Sequence, residues 1–67
     1  MKPPRVHEEA ALPMLLTVRR AVEVSGLSES EIYRRIRSGD IIRRKNGHST
    51  FIETASLIAF IRNLPPG

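Results

Sequence analysis

Residues 26–47 read GLSESEIYRRIRSGDIIRRKNG, a stretch that Gly26, Gly39 and Gly47 divide into two segments of different character. In the first, Ser28-Glu29-Ser30-Glu31 has the spacing of a capping box. The serine oxygen accepts from the backbone N–H three residues on, and the Glu31 carboxylate reaches back to the N–H of Ser28. This predicts a helix that starts just after Ser28 and runs to about Ser38, where Gly39 supplies a left-handed stop. Ile32 and Ile36 lie four residues apart and share one face. At about 100° per residue, Ser30, Arg34 and Arg37 fall on the opposite face, with Tyr33 beside them and Arg35 on the other flank.

Upstream, Leu15-Leu16 precede Thr17, a good N-cap, and Val18, Ala21, Val22 and Ser25 follow at helical spacing until Gly26 closes that helix. Two short helices joined by a few residues with glycine in the turn form a helix-turn-helix. Downstream, Ile41-Ile42-Arg43-Arg44-Lys45 leads into Asn46-Gly47, and His48-Ser49-Thr50-Phe51-Ile52 leads out. Asn-Gly between extended segments predicts a type I′ hairpin, because that turn needs positive φ at both central positions. The turn would set Ile42 opposite Phe51 and Lys45 opposite His48, giving an apolar base and a basic tip. Thr54 is placed to cap a last helix with an apolar stripe of Leu57, Phe60, Ile61 and Leu64, ended by Pro65-Pro66.

The expected fold is therefore mainly α with a small β-hairpin. It is a winged helix-turn-helix made of two helices, a two-stranded wing and a C-terminal helix, spanning residues 14–64. Residues 1–13 carry three prolines and no sustained apolar period, and are expected to form a flexible arm, with residues 65–67 as a tail.

Composition narrows the function. A chain of 67 residues allows one domain, which buries only about 60% of its unfolded surface. With no cysteine there is no disulfide and no Cys-ligated zinc, which suits a cytoplasmic location. The apolar runs are too short to span a bilayer, and the N-terminus lacks the apolar core of a secretory signal. The net charge is +4, and six of the eleven Lys and Arg residues lie between Arg34 and His48 with a single acid, Asp40. Such a balance favours a polyanionic partner, nucleic acid first and an anionic membrane surface second. Membrane binding needs basic residues opposite one long apolar face, and here they are divided between a short helix and a hairpin. An enzyme is not expected: the serines have no His/Asp constellation nearby, and no glycine loop is built to cradle a phosphate. No cofactor or metal is expected either, since His48 has only His7, in the arm, as a second histidine. A protein-interaction module using the stripe from Leu57 to Leu64, or the tail, is the competing reading.

The segment LLTVRRAVEVSGLSESEIYRRIRSGDI (residues 15–41), followed by a basic hairpin and a closing apolar helix, resembles the excisionase and MerR-like family of small winged-helix DNA-binding proteins. Leu16-Thr17-Val18, Ala21, Gly26-Leu27-Ser28, Ile32-Tyr33-Arg34, Ile36, Gly39, the wing, and Phe51 with Leu57 and Phe60 carry the likeness, over residues 15–64. The resemblance implies a second helix in the major groove of double-stranded DNA and a wing over the adjacent minor groove. It implies molecules side by side on repeated sites, often bending the DNA. The roles implied are recombination directionality factor for a phage or mobile-element integrase, or small transcription regulator, in the cytoplasm on the nucleoid. Two positions depart from the pattern: Ile41-Ile42 stands where the family often has proline, and Ser56 where it often has an acid.

On this reading Ser28 and Ser30, at the helix start, hold a phosphate. Arg34 contacts guanine O6 and N7 in bidentate fashion. Arg35 and Arg37 grip flanking phosphates, and Tyr33 is either a phosphate donor or a core-edge contact. Arg43, Arg44 and Lys45, with Asn46 and His48 at the turn, form the wing, and one of its cations enters a narrow minor groove. One short helix and a small wing offer little contact area, and the chain has no long heptad seam for a dimer. A monomer that gains affinity through head-to-tail contacts on repeated sites is therefore expected.

Overall fold

In the computed structural model, which describes residues 12–66, the chain runs β1 (Leu15–Thr17), α1 (Val18–Ser25), α2 (Glu29–Ser38), β2 (Arg43–Asn46), β3 (Ser49–Glu53) and α3 (Thr54–Arg62). Residues 1–11 of the arm expected over 1–13, and Gly67 of the tail, lie outside the described residues.

Local chemistry sets the helix ends. Thr17 Oγ1 accepts from the Arg20 N–H at 3.0 Å, and Ser28 Oγ accepts from the Glu31 N–H at 3.1 Å. Each cap contributes about 1 kcal/mol by satisfying a donor at the helix start. Gly26 and Gly39 close α1 and α2 with φ of 78° and 89°, where a Cβ would meet its own backbone. Only half of the capping box forms. The Glu31 carboxylate turns away from the Ser28 N–H toward Arg34 and Arg35, because two guanidiniums hold a carboxylate more strongly than one neutral amide does.

The sheet has three strands in the order β1-β3-β2, both pairings antiparallel, so the two-stranded wing is extended by a strand that precedes the helix-turn-helix. Leu16 stands opposite Ile52, and Thr17 opposite Phe51. The hairpin register differs from the expected one by two residues. Arg44 faces Phe51, Lys45 faces Thr50 and Asn46 pairs with Ser49, leaving Gly47-His48 as the turn. Among residues 46–49 only Gly47 has positive φ, 65°. That is the pattern of a type II′ turn with glycine first, whereas the expected type I′ turn would need Asn46 left-handed as well. A two-residue slip keeps every side chain on its own face, so Ile52 still points inward.

The core consists of Leu16, Ala21, Ile32, Ile41, Ile52 and Leu57, one from each of β1, α1, α2, the α2–β2 link, β3 and α3. Val18, Val22, Leu27, Ile36, Phe60, Ile61 and Leu12 pack around it. Leu64 falls beyond the end of α3 and is exposed, so the stripe ends one turn earlier than its spacing suggested. Thr54 does not cap α3: it is the first helical residue, and Glu53 precedes it without a side-chain cap bond. The buried Thr54 hydroxyl instead donates to the Pro13 carbonyl, and its N–H donates to the Met14 carbonyl at 3.0 Å. These bonds tie residues 13 and 14 to the start of α3. Three helices and a three-stranded sheet in this order form a winged helix-turn-helix.

The two departures noted in the sequence meet in one place. The Ile41 N–H donates to the Arg35 carbonyl at 3.2 Å, and the Ile42 N–H donates to Ser56 Oγ at 2.9 Å, which itself donates to the Glu53 carbonyl at 2.8 Å. A proline at either isoleucine would delete a donor that is in use here. The side chains then part company: Ile41 is 1% exposed and Ile42 is 41% exposed. Ile41→Ala should therefore cost about 2–5 kcal/mol, which rivals the roughly 3–5 kcal/mol a core of this size supplies. Ile42→Ala should cost no more than about 1 kcal/mol. Urea denaturation followed by circular dichroism measures both, and equal losses would contradict the inward assignment of Ile41 alone.

Candidate nucleic-acid interface

Burial of Ile32, with Ile36 packed beside it, turns the opposite face of α2 to solvent, and Ser30, Tyr33, Arg34 and Arg37 are all exposed there. Ser30 lies in the first turn of α2, where backbone N–H groups point out of the helix end. The Ser28 oxygen already accepts the capping bond, which leaves its hydroxyl hydrogen free to donate outward. Arg34 is held at its guanidinium by Glu31, Nη1 to Oε1 at 2.8 Å, while its side chain stays 63% exposed.

Arg35 is placed differently. Its Nε donates to Glu31 Oε2 at 2.7 Å, its Nη1 lies 3.7 Å from Asp40 Oδ2, and its guanidinium sits 5.1 Å from the centroid of the Phe60 ring. A cation over an aromatic face, hydrogen-bonded to one carboxylate and near a second, is committed to its own domain. Its partner ring lies on α3, so the contact ties α2 to the closing helix.

In the wing, strand alternation places Arg43 and Lys45 on the sheet face that carries Ile52, while Arg44 shares the other face with Phe51 and Glu53. Arg44 donates from both Nε (3.0 Å) and Nη2 (2.8 Å) to Glu53 Oε2. Asn46 and His48 flank Gly47 at the exposed turn. The cations singled out in the sequence thus stand exposed on the helix and the hairpin, Arg44 on the sheet face opposite Arg43 and Lys45, except Arg35, which is half-buried against its own domain.

The ion pairs sort these cations further. Glu23 is shared by Arg19 and Arg20, Glu31 by Arg34 and Arg35, and Glu53 holds Arg44. Arg37, Arg43 and Lys45 have no anionic partner among the described residues. Exposed pairs are worth only about 0.2–1 kcal/mol, so Arg44 can exchange its carboxylate for a phosphate at little cost, whereas Arg34 keeps an open guanidinium edge beside Glu31. Arg19, at the start of α1, is a further exposed cation that the sequence reading passed over. Its signal was its position, since the first helix of a helix-turn-helix crosses the DNA backbone.

The described residues contain no group of His, Cys, Asp or Glu placed to hold a metal ion, and no helix long and apolar enough to cross a membrane. A family model described as helix-turn-helix domain matches residues 15–65. No curated protein and no solved structure matches the chain. A match over all three helices and the whole sheet, on a chain whose exposed α2 face and wing are basic, means that this protein belongs to the helix-turn-helix domain family and is a DNA-binding protein.

Proposed function

We propose that the chain binds double-stranded DNA sequence-specifically, with α2 in the major groove and the β2–β3 wing over the adjacent minor groove, and that it serves as an excisionase. In that role it is a recombination directionality factor, filling repeated sites and bending them for a site-specific integrase. The observation that carries the DNA reading is the set of exposed cations without acidic partners among the described residues, Arg37 on α2 with Arg43 and Lys45 on the wing. The excisionase role draws on the likeness already described, and the helix-turn-helix family includes excisionase-like small DNA-binding proteins. A small transcription regulator of a phage or mobile element would use the same surface. Bending separates them: a circular-permutation gel shift should show a sharp bend for an excisionase, and an unbent complex would favour the regulator.

Within this reading Arg34 contacts a guanine, while Ser28, Ser30, Tyr33 and Arg37 hold the backbone around it. Arg43, Lys45 and Arg44 grip phosphates beside the minor groove, with Asn46 and His48 at its lip. Arg35 moves from the phosphate-gripping set to an internal one, given its contacts to Glu31 and Phe60. If about four side chains, Arg37, Arg43, Arg44 and Lys45, neutralise phosphates, log affinity should fall with log salt at a slope of roughly −3.6. Fluorescence anisotropy on a labelled duplex measures the slope, and a value near zero removes the DNA-groove reading. Arg34→Ala should cost about 1–3 kcal/mol on the preferred site and flatten the preference at one or two base pairs. Lys45→Ala should instead weaken all duplexes evenly and make the slope shallower by about one. Equal losses on preferred and random duplex in both variants would undo this division of labour.

The same geometry supports a reading of assembly. Leu57, Phe60 and Ile61 of α3 are taken up by the core, and a single module of this kind covers only about 600–1,000 Å² on DNA. The proposal is a monomer in free solution that fills direct repeats with head-to-tail contacts between neighbours, which need not close into a ring. Sedimentation without DNA should report a monomer, and gel shifts on one, two and three site copies should show affinity per site rising with copy number. A two-fold dimer in solution, or constant affinity per site, contradicts it.

A further inference from the structure

The Glu31 carboxylate stands between two guanidiniums and gives one oxygen to each: Oε1 accepts from Arg34 Nη1 at 2.8 Å, and Oε2 from Arg35 Nε at 2.7 Å. Neither end of this link is loose. Glu31 is 23% exposed and its backbone N–H donates to Ser28 Oγ. Arg35 is 35% exposed, lies over Phe60, and its carbonyl accepts from the N–H groups of Asp40 and Ile41. A path of direct contacts therefore runs from the α3 ring through Arg35 and Glu31 to the guanidinium of Arg34.

Resting on the reading of Arg34 as the base-contacting residue, we infer that Glu31 is a positioning and specificity-determining residue, held in place by Arg35 and Phe60. Two physical effects carry this. An arginine side chain has about 2 kcal/mol of rotamer entropy to lose, and a fixed carboxylate bound to its guanidinium removes part of that loss before DNA arrives. The Glu31 contact uses Nη1 and leaves the Nε–Nη2 edge open, which is one of the two edges able to make paired bonds to guanine O6 and N7. The second effect is repulsion. Glu31 offsets the charge of Arg34 and sets a carboxylate near any phosphate that Arg34 might grip, so the arginine gains little from unspecific backbone contact. A base edge, which carries no net charge, is not penalised in this way.

The inference separates two quantities that a merely structural role would move together. The preferred site is first selected by the wild-type protein from a randomised duplex library, and affinities for that site and for random duplex are then measured across a salt series. Glu31→Gln keeps shape and removes charge. It should bind random duplex more tightly with a steeper salt slope, while the ratio of site to random affinity falls by about tenfold. In an Arg34→Ala background the same substitution should leave the ratio unchanged, because its effect runs through Arg34. Phe60→Leu should lower the ratio in the same direction without touching DNA, and Phe60→Tyr, which keeps the ring, should restore it. Loss of folding would weaken both duplexes alike and is checked by circular dichroism. A wild-type protein that selects a site, with a Glu31→Gln variant of unchanged ratio, overturns the inference and leaves the reading of α2 standing. A wild-type protein that selects no base preference overturns that reading, and the inference with it.

Discussion

The pairing of Leu16 with Ile52 is the constraint on which the other elements depend. β1 passes into α1 and β3 into α3 without an intervening loop residue, so one antiparallel pair fixes the starting points of two helices. Leu16 and Ile52 both enter the core, where burying each such side chain contributes about 1.5–3 kcal/mol. Thr54 secures the junction from the other side by holding the Pro13 and Met14 carbonyls. With both junctions fixed, α2 has one place to dock, through Ile32, and its arginine face is turned outward as a result.

The charge layout follows from that docking. Each described acid except Glu29 is engaged by an arginine, and Glu29 lies in the first turn of α2, where the helix dipole favours a negative charge. Among the described residues, Arg37 on α2 and Arg43 and Lys45 on the hairpin stand outside these pairs.

Much of this was legible in the residues. Thr17, Gly26, Ser28 and Gly39 marked the ends of α1 and α2 because capping is local chemistry, decided within three or four residues. Three features were not legible, and each is decided at long range. β1 is only three residues, too short for an alternation to register, and it exists because β3 lies beside it. The turn centre moved from Asn46-Gly47 to Gly47-His48, since a register is set by how the strands pair and pack together and a dipeptide signal locates a turn only approximately. At the site, Arg34 and Arg37 were placed outward by helical periodicity, whereas the packing of Arg35 depends on Phe60, twenty-five positions later.

One property of β2 reaches beyond this chain. It pairs along one edge only, and none of its four residues is buried. The side chains proposed to grip DNA at the wing are therefore not the ones that form the core. Residues 43–48 could be rewritten almost entirely, provided Gly47 stays to make the turn, and the remaining body would be unaffected. Hairpin and body can therefore change separately over evolution, the hairpin by drift in its exposed side chains, without passing through unfolded intermediates.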